Sequence, residues 1–160
     1  MVVRLRNLPF PASFRSFAPH EAEATALYIF EHSMIPGLLQ TEAYARAILE
    51  THPDVTEDVV NERLAGRLSR QEILERDDPP PPVVCALIDQ SALNREIGGP
   101  VAMRDQLMHL AAMSRRPNIT VQIIPNTAAH PGLRGDALSK RASRDLIEGV
   151  IQERWKETAP

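Results

Sequence analysis

Apolar positions in the second half of the chain form two short runs, separated by stretches with helical spacing. The runs at residues 83–88 and 119–124 have the length and the β-branched content of buried strands. A short helix-like stretch at 89–97 and a longer one from Pro100 to about Arg115 lie between them. Because a helical crossover joins parallel strands, this order predicts a βαβ-type unit with a right-handed connection.

The first half of the chain predicts a helix that passes into a strand, then a sharp bend and a second helix. Good helix formers at 20–26 precede the bulky β-prone residues 27–30. Proline fixes φ and glycine accepts positive φ, so Pro36-Gly37 should bend the chain and turn the next two leucines inward. Thr41 then offers its hydroxyl as the N-cap of a helix that runs to about residue 51 and ends before Pro53.

A long helix should follow from residue 57 to about 76, with Thr56 as its N-cap. On a helical wheel Val60, Leu64 and Leu74 fall within a narrow arc. Arg67 and Gln71 fall within the same arc, which two interpretations explain.

In the first interpretation, the apolar stem of Arg67 is covered while its guanidinium reaches solvent. In the second, Arg67 and Gln71 belong to a polar network that reaches the Gln40-Thr41 turn or a carboxylate, since a buried guanidinium needs partners. Asp89 and Glu31 are the acids expected to meet it. Such a network would be structural or would end at a ligand.

A last helix, capped by Ser139, should present Leu146, Ile147, Val150 and Ile151 on one face. The fold class predicted is α+β (or α/β), mostly helical, with a small sheet that includes the parallel unit. Residues 1–19 read as an extended N-terminal arm, and residues 20–160 as a single domain. The prolines at 79–82 form a stiff spacer that separates two halves of this domain.

Composition narrows the classes of function without selecting one. The 160 residues suit one domain, with 43% hydrophobic and 24% charged residues. A net charge of −3 gives no general attraction to nucleic acid or membranes. The single cysteine, Cys85, cannot form an internal disulfide, and no apolar run is long enough to span a bilayer or to form a signal peptide. The cytoplasm is the expected compartment.

Candidate chemical groups have structural interpretations. The five histidines lack zinc-ligand spacing, and no glycine-rich phosphate loop or nucleophile motif occurs. Cys85 lies in a predicted strand, where burial would raise the pKa of its thiol and make it a small core residue. Ser91 and Ser139 read as local or capping serines. We therefore predict no catalytic residue, no metal ligand and no cofactor.

Two further features are compatible with ligand binding as well as with a structural role. A modest basic cluster near the last helix could contact phosphate, although a solvated face opposed by acids is favoured. Its members are Arg134, Lys140, Arg141 and Arg144. His130-Pro131-Gly132 follows a strand end, where α/β sheets often place ligands, but it is equally compatible with a plain turn.

An ordered series of motifs carries a resemblance to a known family. The run Pro-Gly-Leu-Leu-Gln-Thr at 36–41 leads into Tyr-Ala-Arg-Ala at 44–47. Further motifs follow in order at 67–71, 86–89, 92–93, 98–99, 106–107, 116–118, 123–125 and 130–132. The chain resembles the C-terminal domain of unknown function that follows the helix-turn-helix in many actinobacterial XRE-type, antitoxin-like transcriptional regulators.

The resemblance implies a sensory or effector domain that binds an unknown small molecule or a small partner protein. The candidate binding residues all lie in the shared motifs. They are Gln40, Tyr44, Arg67, Arg70, Gln71, Asp89 and His130. The alternative is a small-molecule-binding enzyme of a specialised pathway built on the same scaffold.

The chain departs from this family at two places. Only about twenty residues precede the first helix, too few for the three helices of a helix-turn-helix module, so we expect no direct DNA binding by this chain. After Gly135 the late strands of the family are missing, through loss or omission of a segment. A chain lacking these strands could need a second copy to complete its sheet, so a homo-oligomer is a further expectation.

Overall fold

The computed structural model describes residues 21–53, 55–128 and 138–155, and within them three parallel strands form one sheet. The strands are β1 (Ala26–Glu31), β2 (Val83–Asp89) and β3 (Ile119–Ile124), in the order β1-β2-β3. The predicted strands, their parallel direction and the mixed, mostly helical fold class are confirmed. Because β1 precedes the prolines at 79–82 and pairs with β2 after them, the spacer does not divide the sheet into halves.

Five α-helices and two short 3-10 helices accompany the sheet in the described part of the chain. The α-helices are α1 (Glu42–Glu50), α2 (Glu57–Gln71), α3 (Gln90–Asn94), α4 (Gly99–Met113) and α5 (Lys140–Trp155). The 3-10 helices span Gly37–Leu39 and Glu72–Leu74. Residues 21–23 are also helical, as expected for the segment before β1. Helix α2 is shorter than predicted because its last turn tightens into the second 3-10 helix.

Two of the three predicted caps form side-chain hydrogen bonds. The Thr41 hydroxyl accepts from the Tyr44 amide at 3.4 Å, and the Ser139 hydroxyl accepts from the Ala142 amide at 3.2 Å. Thr56 occupies the predicted N-cap position of α2, but its side chain makes no cap bond, and its carbonyl accepts from the Val60 amide at 3.0 Å. Two acidic residues in the first turn of α2 complement the helix dipole there instead.

The core lies on one face of the sheet. The strand residues of this face carry almost no exposed surface and contact the inner faces of α4 and α5. The expected inner residues of α4 are confirmed, since Met103, Leu107 and Leu110 are all 0% exposed. In α5 the side chains of Ile147 and Val150 are buried, and Leu146 and Ile151 pack partly against them, as predicted.

The opposite face of the sheet is less covered within the described residues, so β2 alternates rather than being buried on both sides. Val84, Ala86 and Ile88 are 0% exposed, whereas Cys85 and Leu87 are half-buried on the other face. Cys85 is therefore not the enclosed core residue that the sequence predicted. The apolar residues of β2 therefore do not pack on two covered faces. Cys85 and Leu87 lie on the less covered face, beside Tyr28 and Phe30 of β1.

The two edges of the described sheet differ. At the β3 edge the Leu138 amide donates to the Ile123 carbonyl at 2.8 Å, and the Ile123 amide donates to the Ser143 hydroxyl at 2.9 Å. At the other edge β1 has no further strand beside it among the described residues. None of the described helices is long and apolar enough to span a bilayer. The predicted arm at 1–19, the His130 loop and the junction after Gly135 lie outside the described residues.

Candidate functional site

The chain bends between β1 and α1 as the sequence predicts, but the backbone conformation of the bend differs from the predicted one. Pro36 and Gly37 lead into a 3-10 helix closed by a hydrogen bond from the Leu39 amide to the Pro36 carbonyl at 2.8 Å. Leu38 and Leu39 are buried beneath it. Gly37 does not adopt positive φ, which among the described glycines occurs only at 98 and 99. The bend comes from helical geometry, and Gly37 lies open to a cavity beside β1.

Gln40, 2% exposed, connects this turn to helix α2. Its amide nitrogen donates to the Ile35 carbonyl at 2.6 Å, and its amide oxygen accepts from Arg67 Nη1 at 2.7 Å. Gln71 Nε2 donates to the backbone carbonyls of Gly37 and Gln40 at 2.9 and 2.8 Å. The predicted network between Arg67, Gln71 and the Gln40-Thr41 turn is confirmed.

The carboxylate expected to meet Arg67 is absent from this network. Asp89 caps α3 by accepting from the Ser91 amide at 2.9 Å, and Glu31 forms no hydrogen bond with Arg67. The prediction of these two partners was wrong because Gln40 supplies a neutral amide oxygen at the inner end of Arg67. Burial, and then the nearby charge of Arg70, lower the pKa of Arg67. Its charge is thus incompletely compensated by the described residues.

Arg70 lies one turn after Arg67 in α2 and, unlike Arg67, is paired with a carboxylate. Its Nε and Nη2 atoms donate to the two carboxylate oxygens of Glu21 at 2.6 and 2.7 Å. The side chains are only 11% and 4% exposed, which makes this a buried bidentate pair. Sequence reasoning missed Glu21, because nothing local marks a partner 49 positions from Arg70.

Gln106 of α4 is a second residue that sequence reasoning did not assign. It is 0% exposed; its Oε1 accepts from the Thr41 amide at 2.7 Å, and its Nε2 donates to the Leu39 carbonyl at 2.8 Å. It therefore fixes the backbone on both sides of Gln40. The available signal was an amide within the inner arc of α4, beside Met103 and Leu107.

A cavity of about 370 Å³ lies between β1, the turn and α2. Arg67, Gln40 and Gly37 line it on one side, and Tyr28, Phe30 and Met34 supply apolar surface. Glu31, at the carboxyl end of β1, also lines the cavity. Burial raises the pKa of Glu31, and neighbouring His32 partly offsets this increase. Glu31 has no ion-pair or hydrogen-bond partner among the described residues.

Three of the proposed binding residues line this cavity, and the others have different positions. Gln40, Arg67 and Arg70 line it, together with the missed Glu21. Tyr44 is fully buried, and its hydroxyl accepts from the Ile35 amide at 3.2 Å, so its place is in the core; burial raises its pKa. Gln71 lines a second cavity of about 250 Å³, on the side of α2 that faces α4.

The other candidate groups have local roles. The Ser91 hydroxyl donates to the His32 carbonyl at 2.9 Å, and Lys140 donates to the Ile119 carbonyl at 2.7 Å. Arg141 is 92% exposed, 4.0 Å from Asp145. The described part of the basic cluster is therefore spread over separate contacts. Within the described ranges no group of acids, histidines and cysteines could hold a metal ion.

Comparison with known proteins gives one family. A family described as a domain of unknown function matches residues 14–145 of the chain. The match includes the turn, α2 and the described sheet, and so contains every described residue that lines the cavity. Neither the curated proteins nor the solved structures give a significant match.

Proposed function

Since the chain belongs to the DUF5753 family, we propose that it is a sensory domain that binds a small molecule in the cavity beside β1. The observation that carries the proposal is Arg67. Arg67 lines the cavity, its one described hydrogen-bond partner is the neutral amide of Gln40, and burial lowers its pKa. A desolvated cation held in place by a neutral group can gain a charge-assisted hydrogen bond from a ligand.

The network behind Arg67 provides a physical connection from the cavity to the core. Arg67 holds Gln40, and Gln106 of α4 holds the residues on both sides of Gln40. A ligand that draws Arg67 away from Gln40 would free an amide oxygen that is otherwise buried. Leaving this buried oxygen without a hydrogen bond costs free energy, so binding should change the preferred position of the turn.

Binding is favoured over covalent chemistry by the residue types around the cavity. Its described lining contains no serine, threonine, cysteine, histidine or lysine, which are common nucleophilic side chains. The charged groups are two arginines and two glutamates. Glutamates can transfer protons, but Glu21 is paired with Arg70, and no serine, cysteine or lysine accompanies Glu31 in the described lining.

The motif series supports a regulatory setting for this domain. We propose that it acts in the cytoplasm as the effector part of an XRE-type regulator. Either a small molecule or a small partner protein could be the signal in such a setting. The half-buried position of Arg67 in this cavity favours the small molecule.

A thermal-shift screen of a metabolite library tests the proposal. We expect at least one compound to raise the melting temperature of the wild-type protein and of Arg104→Met, but not of Arg67→Met. Arg104 is an exposed arginine on α4 and does not line the cavity, so it controls for the loss of one positive charge. Circular dichroism checks that both variants are folded. Compounds that stabilise Arg67→Met as well as wild type, or a library without any hit, would refute the proposal.

A further inference from the structure

The cavity beside β1 holds one unmatched charge of each sign. Arg70 and Glu21 neutralise each other through two hydrogen bonds, so they need no ligand. Arg67 and Glu31 line the same cavity without forming an ion pair. A cation and an anion thus remain available to a single occupant.

Both charges are partly withdrawn from water, which penalises an occupant of only one sign. Arg67 and Glu31 are each half-buried. An anion that binds Arg67 would meet the like charge of Glu31, and a cation that binds Glu31 would meet that of Arg67. A molecule that carries both charges compensates the two groups at once and leaves neither unpaired.

The rest of the cavity is suited to an apolar side chain. Tyr28 is 77% exposed and Phe30 is 49% exposed, and both line the cavity together with Met34. Covering this surface would remove exposed apolar area from water. The volume of about 370 Å³ is near the lower end of the range for ligand pockets, which favours a small occupant.

We propose that the ligand is a small zwitterion with an ammonium group for Glu31, a carboxylate for Arg67 and an apolar side chain over Tyr28 and Phe30. A free apolar amino acid and a dipeptide share this chemistry. This inference rests on the proposed function, because it assigns the ligand class of the same cavity. In a dipeptide the peptide group would lie beside β1, whose outer edge has no neighbouring strand in the described chain.

Isothermal titration with matched probes tests the assignment. The probes are L-phenylalanine and the dipeptide L-leucyl-L-phenylalanine, each also as its carboxamide and as its N-acetyl derivative. We expect at least one zwitterion to bind, and its carboxamide and N-acetyl forms to bind about 10- to 100-fold more weakly, the value of one charge-assisted hydrogen bond. The two zwitterions distinguish the sources, since a dipeptide site should prefer the longer probe.

Two variants assign the charges to the two residues. Arg67→Met should remove the preference for the free carboxylate, and Glu31→Gln should remove the preference for the free ammonium group. Glu31→Gln replaces a side chain without described partners, so it carries the test if Arg67→Met does not fold. Arg104→Met should keep both preferences. Capped probes that bind as tightly as the zwitterion, or zwitterions that do not bind at all, would overturn the inference.

The outcome also separates this inference from the proposed function. A library compound that stabilises the protein through Arg67 but is not a zwitterion would leave the sensory role standing and refute the ligand class. Absence of any compound that depends on Arg67 would refute both.

Discussion

Replacing Gln106 by methionine should destabilise the protein strongly even though it preserves the length of the side chain. Gln106 is 0% exposed. Its side chain accepts a hydrogen bond from the Thr41 amide at 2.7 Å and donates one to the Leu39 carbonyl at 2.8 Å. No other described partner is available to either backbone group. Methionine fills the same space but can neither accept the first bond nor donate the second.

The magnitude follows from the two backbone groups that lose their partners. Each unsatisfied buried group costs about 1–3 kcal/mol. Because Thr41 is half-buried and water can reach it in part, we expect a total loss of about 2–4 kcal/mol. For a chain of this size that loss corresponds to a fall in melting temperature of roughly 5–15 °C.

Urea unfolding followed by circular dichroism measures this effect. The same substitution at exposed Gln152 of α5 is the matched control and should change the free energy of unfolding by less than about 0.5 kcal/mol. A loss below about 1 kcal/mol for Gln106→Met, with an unchanged m-value, would show that the two hydrogen bonds do not hold the turn. The ligand test applies here too, since loosening the turn should weaken binding at Arg67.

Three further predictions address other parts of the structure. Arg70→Met should cost about 3–5 kcal/mol in urea unfolding because it leaves buried Glu21 unpaired, and Glu21→Gln in the same chain should recover most of the loss. Burial, together with a neighbouring arginine, lowers the pKa of His109, so the folded state binds its proton less readily than the unfolded state. Stability should therefore fall as pH drops through 6.5, and unfolding curves at pH 7.5 and 5.5 should differ less for His109→Gln than for wild type. Gly98→Ala should cost about 1–3 kcal/mol, since φ is 78° and the added Cβ would lie 3.0 Å from two alanine Cβ atoms, whereas Gly149→Ala, with open space around it, should be stabilising.

The sequence by itself determined those features that depend on neighbouring residues. Short, mostly apolar runs located β2 and β3, because a strand shows its buried face within only six or seven positions. Thr41 and Ser139 marked helix starts, because a hydroxyl reaches an amide three positions away. Helical periodicity placed Arg67 and Gln71 on the inner face of α2, because the 3.6-residue repeat puts them on the same face as Val60 and Leu64.

The tertiary structure alone decided which groups meet across long separations. Gln106 lies 65 positions from Thr41, and Glu21 lies 49 from Arg70, so no local pattern could pair them. The same limit explains why Asp89 and Glu31 were wrongly expected to neutralise Arg67. Periodicity assigns a side chain to a face, whereas its partner depends on which elements pack against that face. Here the turn after β1 brings the amide of Gln40 to Arg67. Glu31 lines the same cavity but forms no hydrogen bond with Arg67.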